Sequence, residues 1–108
     1  MERVDLNLGH DHTLSWLIAG RGSDERVGAV IGHPAPGKTE TGYCEGFVSW
    51  APTTWERENP DKLSDAERNR PRWTLHGAAD AHLTLTPSVL CATCGDHGFV
   101  TDGRWIPA

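Results

Sequence analysis

Basic charge is scarce in this sequence: ten Lys and Arg stand against fifteen Asp and Glu, a net charge of −5. Non-specific grip on nucleic acid depends on cations that neutralise phosphates, so this balance weighs against a nucleic-acid partner and leaves a protein partner open. Long apolar runs are missing as well. Nothing approaches the roughly 20 consecutive residues of a membrane span. The start, Met1-Glu2-Arg3-Val4-Asp5, has neither the basic nor the apolar region of a signal peptide. A cytoplasmic setting is therefore expected, where thiols stay reduced. Cysteine is rare and odd in number, Cys44, Cys91 and Cys94, which argues against a secreted disulfide framework.

What is present is turn chemistry and tryptophan. Twelve Gly and seven Pro in 108 residues point to many turns and few long helices. With 37% hydrophobic residues the core is modest, and the five tryptophans (Trp16, Trp50, Trp55, Trp73, Trp105) are expected to carry much of it. Val4-Asp5-Leu6-Asn7-Leu8 alternates with the period of a half-buried strand. Further strands are predicted at Thr13 to Ala19, Val27 to Gly32, Cys44 to Trp50, Trp73 to Leu75 and Leu83 to Leu85. Pro87-Ser88 is read as breaking the last run. Thr101-Asp102-Gly103 between Gly98-Phe99-Val100 and Arg104-Trp105-Ile106 is a hairpin signal, because Asp-Gly favours the tight turn. The fold class is mostly β, possibly α+β: one small domain over residues 1–108 of short antiparallel strands, with a C-terminal zinc knuckle and hairpin. Residues 52–72 carry five acidic and five basic side chains and read as a charged loop or short helical insertion. Within it Ser64 is placed to cap a helical turn, with Glu67 at the capping-box position.

The pattern richest in chemistry is Cys91-Ala92-Thr93-Cys94-Gly95-Asp96-His97. A two-residue spacer turns both sulfurs of a Cys-x-x-Cys towards one ion, and the following Gly permits a positive φ. Thiolates favour soft or borderline metals, and a structural zinc needs four ligands. The expected set is Cys44, Cys91, Cys94 and His97, with His10, His12, His33, His76 and His82 competing with Cys44 for the fourth place. A redox pair is the alternative for Cys-x-x-Cys, but it usually opens a helix. His10-Asp11-His12 is a second cluster: on a strand the two imidazoles would face one side, whereas in a turn they would not.

Arg70-Pro71-Arg72-Trp73, Leu83-Thr84-Leu85-Thr86-Pro87-Ser88-Val89, Cys94-Gly95-Asp96-His97-Gly98-Phe99-Val100 and Asp102-Gly103-Arg104-Trp105 occur in that order. Together they resemble a family of small proteins of bacterial and especially phage genomes, known only as a domain of unknown function. The resemblance covers residues 70–106. It implies a phage or prophage setting and, from a cysteine-rich segment upstream in many members, metal binding. This chain keeps only Cys44 in the corresponding place. The resemblance brings no activity with it.

No His-Glu-x-x-His, deaminase zinc signature or nucleophile elbow is present. The function expected from sequence is therefore a non-catalytic, zinc-stabilised module that binds a protein, acting in the host cytoplasm if phage-encoded. Two alternatives accompany it. One is a small metal-dependent hydrolase built on His10 and His12. The other is a nucleic-acid-binding zinc ribbon.

Overall fold

A computed structural model describes residues 4–77 and 82–108. Eight strands form two antiparallel four-stranded sheets. The first sheet takes β1 (Leu6–Gly9), β2 (His12–Ile18), β3 (Arg26–Pro34) and β4 (Tyr43–Ser49) in sequential order. The second takes β5 (Thr74–His76), β6 (Thr84–Leu90), β7 (His97–Thr101) and β8 (Arg104–Pro107), again in order. The mostly-β expectation holds. Among the described residues no helix is long and apolar enough to cross a membrane.

Most strands bury one face, β3 is buried along nearly its whole length, and the inward faces of the two sheets share one core. Leu8, Leu14, Trp16, Ala29, Ile31 and Val48 come from the first sheet; Leu85, Val89, Val100 and Trp105 come from the second. Full burial of one such aliphatic side chain contributes roughly 1.5–3 kcal/mol, so the alternation that aims them inwards decides the strand register. The tryptophans divide. Trp16 and Trp105 are buried, Trp50 and Trp73 pack against the core edge, and Trp55 is exposed.

The segment between the sheets carries two short helices, α1 (Thr54–Glu58) and α2 (Asp65–Arg68), separated by a single 3₁₀ turn at Pro60–Lys62. Both helices start on capping boxes, Thr53 with Glu56 and Ser64 with Glu67, the second as expected from sequence. The segment then leads into β5 through two contacts with Ser49 at the end of β4. Arg72 donates to Ser49 Oγ at 2.7 Å, and the Trp73 amide donates to the Ser49 carbonyl at 2.9 Å.

The C-terminal hairpin forms as predicted. Thr101 pairs with Arg104 across Asp102 and Gly103, both at positive φ (50° and 73°), the conformation of a two-residue type I′ turn. Pro87 does not break the preceding strand. β6 continues through Thr86-Pro87-Ser88 to Leu90, and the pairing slips between Leu85 and Val89. Leu85 faces Val100 and Val89 faces Gly98, so β6 bulges over this stretch. A bulge leaves its extra residues outside the ladder, where a proline removes no needed donor. The peptide before Pro87 is cis.

Candidate functional site

The bulge carries Ser88, and the facing strand begins with His97. Leu90 pairs with His97, so Ser88, two residues back on the same face, is the diagonal neighbour of that imidazole. Ser88 Oγ lies 2.8 Å from His97 Nε2. With the ring proton on Nδ1, the hydroxyl donates to Nε2, the arrangement in which a histidine can take a serine proton. Ser88 is also held from behind, because Trp73 Nε1 donates to its backbone carbonyl at 3.3 Å. Asp96, the carboxylate next in sequence, is not the orienting acid. It contacts His12 instead, Nε2 to Oδ2 at 2.6 Å.

The loop between Ser88 and His97 is the knuckle. The Gly95 amide donates to the Cys91 carbonyl at 2.8 Å, the Cys91 amide donates to the Asp96 carbonyl at 2.7 Å, and Gly95 sits at φ +81°, as the spacing predicted. Cys91 and Cys94 converge on Cys44 of β4 and His33 of β3. The four donor atoms all lie within 4.8 Å of one another. Tetrahedral zinc with Zn–S near 2.3 Å sets its sulfurs about 3.8 Å apart, so this spacing fits a single ion. His33 Nε2 is 3.1 Å from Cys94 Sγ, while His33 Nδ1 is 3.8 Å from the Asp96 carboxylate. A carboxylate behind the second nitrogen of an imidazole is the usual support of a metal-bound histidine. Burial, then the neighbouring thiols of Cys94 and Cys91, push the Cys44 thiol up to about 11. Burial also raises that of Cys91, but hydrogen bonding from Cys94 and Thr93 outweighs it and leaves the value lowered. These donors could hold a metal ion.

Three of the expected residues, Cys44, Cys91 and Cys94, are thus together, and the histidine beside them is His33. His97 is corrected out of the set. It opens β7 on the outer face, where its ring meets Ser88, whereas His33 is buried beside the sulfurs. Of the other histidines, His10 and Asp11 occupy the β1–β2 turn at positive φ (52° and 61°). His12 is buried at the start of β2, stacked 4.1 Å from the Trp105 ring, with Nδ1 against the His10 carbonyl at 2.6 Å. The two imidazoles therefore share no face, which removes the geometry of a His10/His12 centre. His12, His33 and Asp96 do cluster, behind the sulfur-rich group. His76 bonds Thr86 on the outer face, and His82 is exposed beside Asp102.

Ser88 was missed in the sequence although a signal was there. A serine and a histidine on the two arms of one hairpin, both on its outer face, are diagonal neighbours whenever the intervening loop closes the register.

A β protein of two small sheets thus presents, on the outer face of the second, a serine hydroxyl within hydrogen-bonding distance of an imidazole, the contact that a serine–histidine dyad requires. The chain belongs to the BubE family, described as bacterial ubiquitination-like system serine protease, which it matches over residues 52–108. That span holds Ser88, His97, Cys91 and Cys94 but neither His33 nor Cys44. No curated protein and no solved structure matches the chain. The non-catalytic binding module expected from sequence is overturned by this family, and the metal-dependent hydrolase and nucleic-acid ribbon fall with it. A serine protease draws its nucleophile from a side-chain hydroxyl, not from metal-bound water.

Proposed function

We propose that this chain is a serine hydrolase that cleaves an acyl bond in a polypeptide substrate of a bacterial ubiquitination-like system. The observation that carries this is the 2.8 Å contact between Ser88 Oγ and His97 Nε2. Ser88 Oγ attacks the substrate carbonyl as His97 takes its proton. The new bond joins Oγ to the acyl carbon, and the amide C–N bond breaks as His97 passes the proton to the departing nitrogen. Water then attacks the acyl-serine, and His97 returns that water's proton to Ser88. Trp73 acts as a positioning residue through the Ser88 carbonyl.

Alongside the dyad, His33, Cys44, Cys91 and Cys94 hold zinc in a structural role. All four places are taken by protein donors, which leaves no open position for substrate or water. Zinc would clamp β3 and β4 of one sheet to the β6–β7 loop of the other. Reduced thiols of this kind suit a cytoplasmic setting.

The test is a fluorophosphonate probe, which phosphonylates activated serines. Intact mass and peptide mapping should give one adduct, on Ser88, abolished in Ser88→Ala and strongly slowed in His97→Ala. An unlabelled wild-type protein, or an adduct that persists in Ser88→Ala, sinks the proposal.

A further inference from the structure

The outer face of a two-layer β domain normally meets water and is polar or charged. The second sheet departs from this. Its four strands contain no Asp or Glu, although the chain has fifteen, and Arg104 is their only Lys or Arg. Alongside threonines and histidines such as Thr74, His76, Thr86 and His97, its outer face exposes three large apolar side chains: Leu90 at 62%, Phe99 at 41% and Ile106 at 45%. The register gathers them, since Leu90 faces His97 and Phe99 faces Ile106. Residues paired in this way have side chains in contact range, and His97 and Phe99 are two apart on one strand. The His97 and Phe99 ring centroids are 6.2 Å apart. An apolar strip therefore crosses β6, β7 and β8 and includes the imidazole that contacts Ser88.

We propose that this strip is the acyl-side binding surface of the Ser88–His97 site. It would take an uncharged, extended polypeptide segment with an aliphatic or aromatic side chain close to the scissile carbonyl, and Phe99 would set that preference. The inference rests on the serine-hydrolase reading of the dyad. Two observations select the occupant. The strip is continuous with the reacting pair, so a carbonyl within reach of Ser88 Oγ brings its neighbouring residues over Leu90, Phe99 and Ile106. The surface also lacks carboxylates and has one cation, which gives a neutral segment a match that a strongly charged one would not find. Side chains on such a surface discriminate by burying methylenes, and a single methylene in a well-formed pocket is worth roughly tenfold or more in kcat/KM.

The full chain should be assayed on p-nitrophenyl acetate and p-nitrophenyl hexanoate, with fluorophosphonate labelling of Ser88 run in parallel. On an open strip the four extra methylenes are expected to raise kcat/KM on the order of tenfold in total. Phe99→Ala and, separately, Ile106→Thr should bring the hexanoate-to-acetate ratio towards one, chiefly by raising KM for hexanoate. Ser88 labelling with a flat chain-length profile in the wild-type protein overturns the surface assignment while sparing the dyad. So does a ratio that neither variant changes. Absence of Ser88 labelling overturns the dyad and this assignment with it.

Discussion

His33 stands beside the sulfurs where the sequence suggested His97, and replacing each histidine separates their proposed roles. On the proposed mechanism, His97→Ala removes the group that accepts the Ser88 proton. General-base assistance is worth about 10²–10⁴-fold, or roughly 3–5.5 kcal/mol of transition-state stabilisation. Because His97 is exposed on the outer face, its loss should barely touch the core. His33→Ala acts elsewhere. It deletes a buried ring lying 3.1 Å from Cys94 Sγ and stacked on His12 at 5.0 Å. Structural zinc contributes on the order of 10 kcal/mol to the folding of small metal domains. Losing even about 3 kcal/mol of that would lower the melting temperature by roughly 12–20 °C in a domain of this size. Native mass spectrometry, thermal melting and ester turnover should be read on both variants. His97→Ala should keep one zinc and melt within a few degrees of the parent protein while turnover collapses. His33→Ala should lose zinc and melt far earlier. If His97→Ala loses the metal while His33→Ala retains it, both assignments are wrong.

Three further outcomes are expected. Chelation of the wild-type protein should lower its melting temperature and slow Ser88 labelling together, because the knuckle joins the strands that carry Ser88 and His97; labelling at full rate in demetallated protein would contradict this. Trp73→Phe keeps the ring and removes the indole donor to the Ser88 carbonyl, so kcat should fall on the order of tenfold, the worth of one ordinary hydrogen bond, with KM little changed; a change confined to KM would argue against a positioning role. Glu56 accepts from the Thr53 amide first and then from the Thr53 hydroxyl, with Arg72 and Arg70 nearby, and its carboxyl is held below 4.5. Its stabilising effect is therefore complete above the unfolded value and is lost as pH falls through the lower folded one. Urea midpoints measured downwards from pH 5 should drop more steeply for the wild-type protein than for Glu56→Gln, and parallel slopes would refute the assignment.

The strands were legible because their signal is local. Leu6–Leu8, Leu83–Leu85 and Phe99–Ile106 each alternate with the period that buries one face, and the Asp102-Gly103 turn allows one tight conformation. The knuckle was legible for the same reason, since Cys91, Cys94 and Gly95 lie within one loop. Partners distant in sequence were not legible. Nothing near His33 distinguishes it from His10, His76 or His82; only the pairing of His33 with Cys44 across β3 and β4 brings it to the sulfurs. His97 misled because its spacing from Cys94 suits a ligand, yet the start of β7 turns it to the opposite face. Ser88 was hidden by Pro87, which reads as a strand breaker until the bulge that accommodates it is visible. The family match adds what geometry cannot, the ubiquitination-like setting, and it stops short of His33 and Cys44 on the first sheet.

The knuckle and the dyad occupy one hairpin, and that arrangement has a mechanical consequence. Ser88 and His97 meet as a diagonal pair, so their separation depends on the β6–β7 register between Leu90 and His97. The hydrogen bonds inside the loop, from Gly95 to Cys91 and from Cys91 to Asp96, hold that register locally. A loop of this length on an exposed hairpin end would still fray, because few apolar contacts restrain it. Anchoring Cys91 and Cys94 to His33 and Cys44 ties the loop to the opposite sheet, and Asp96 adds a second tie through the buried His12. A one-residue slip would turn Ser88 inwards and break the dyad. On the proposed reading, a metal held there would serve the chemistry without touching the substrate, by fixing the turn on whose geometry the 2.8 Å contact depends.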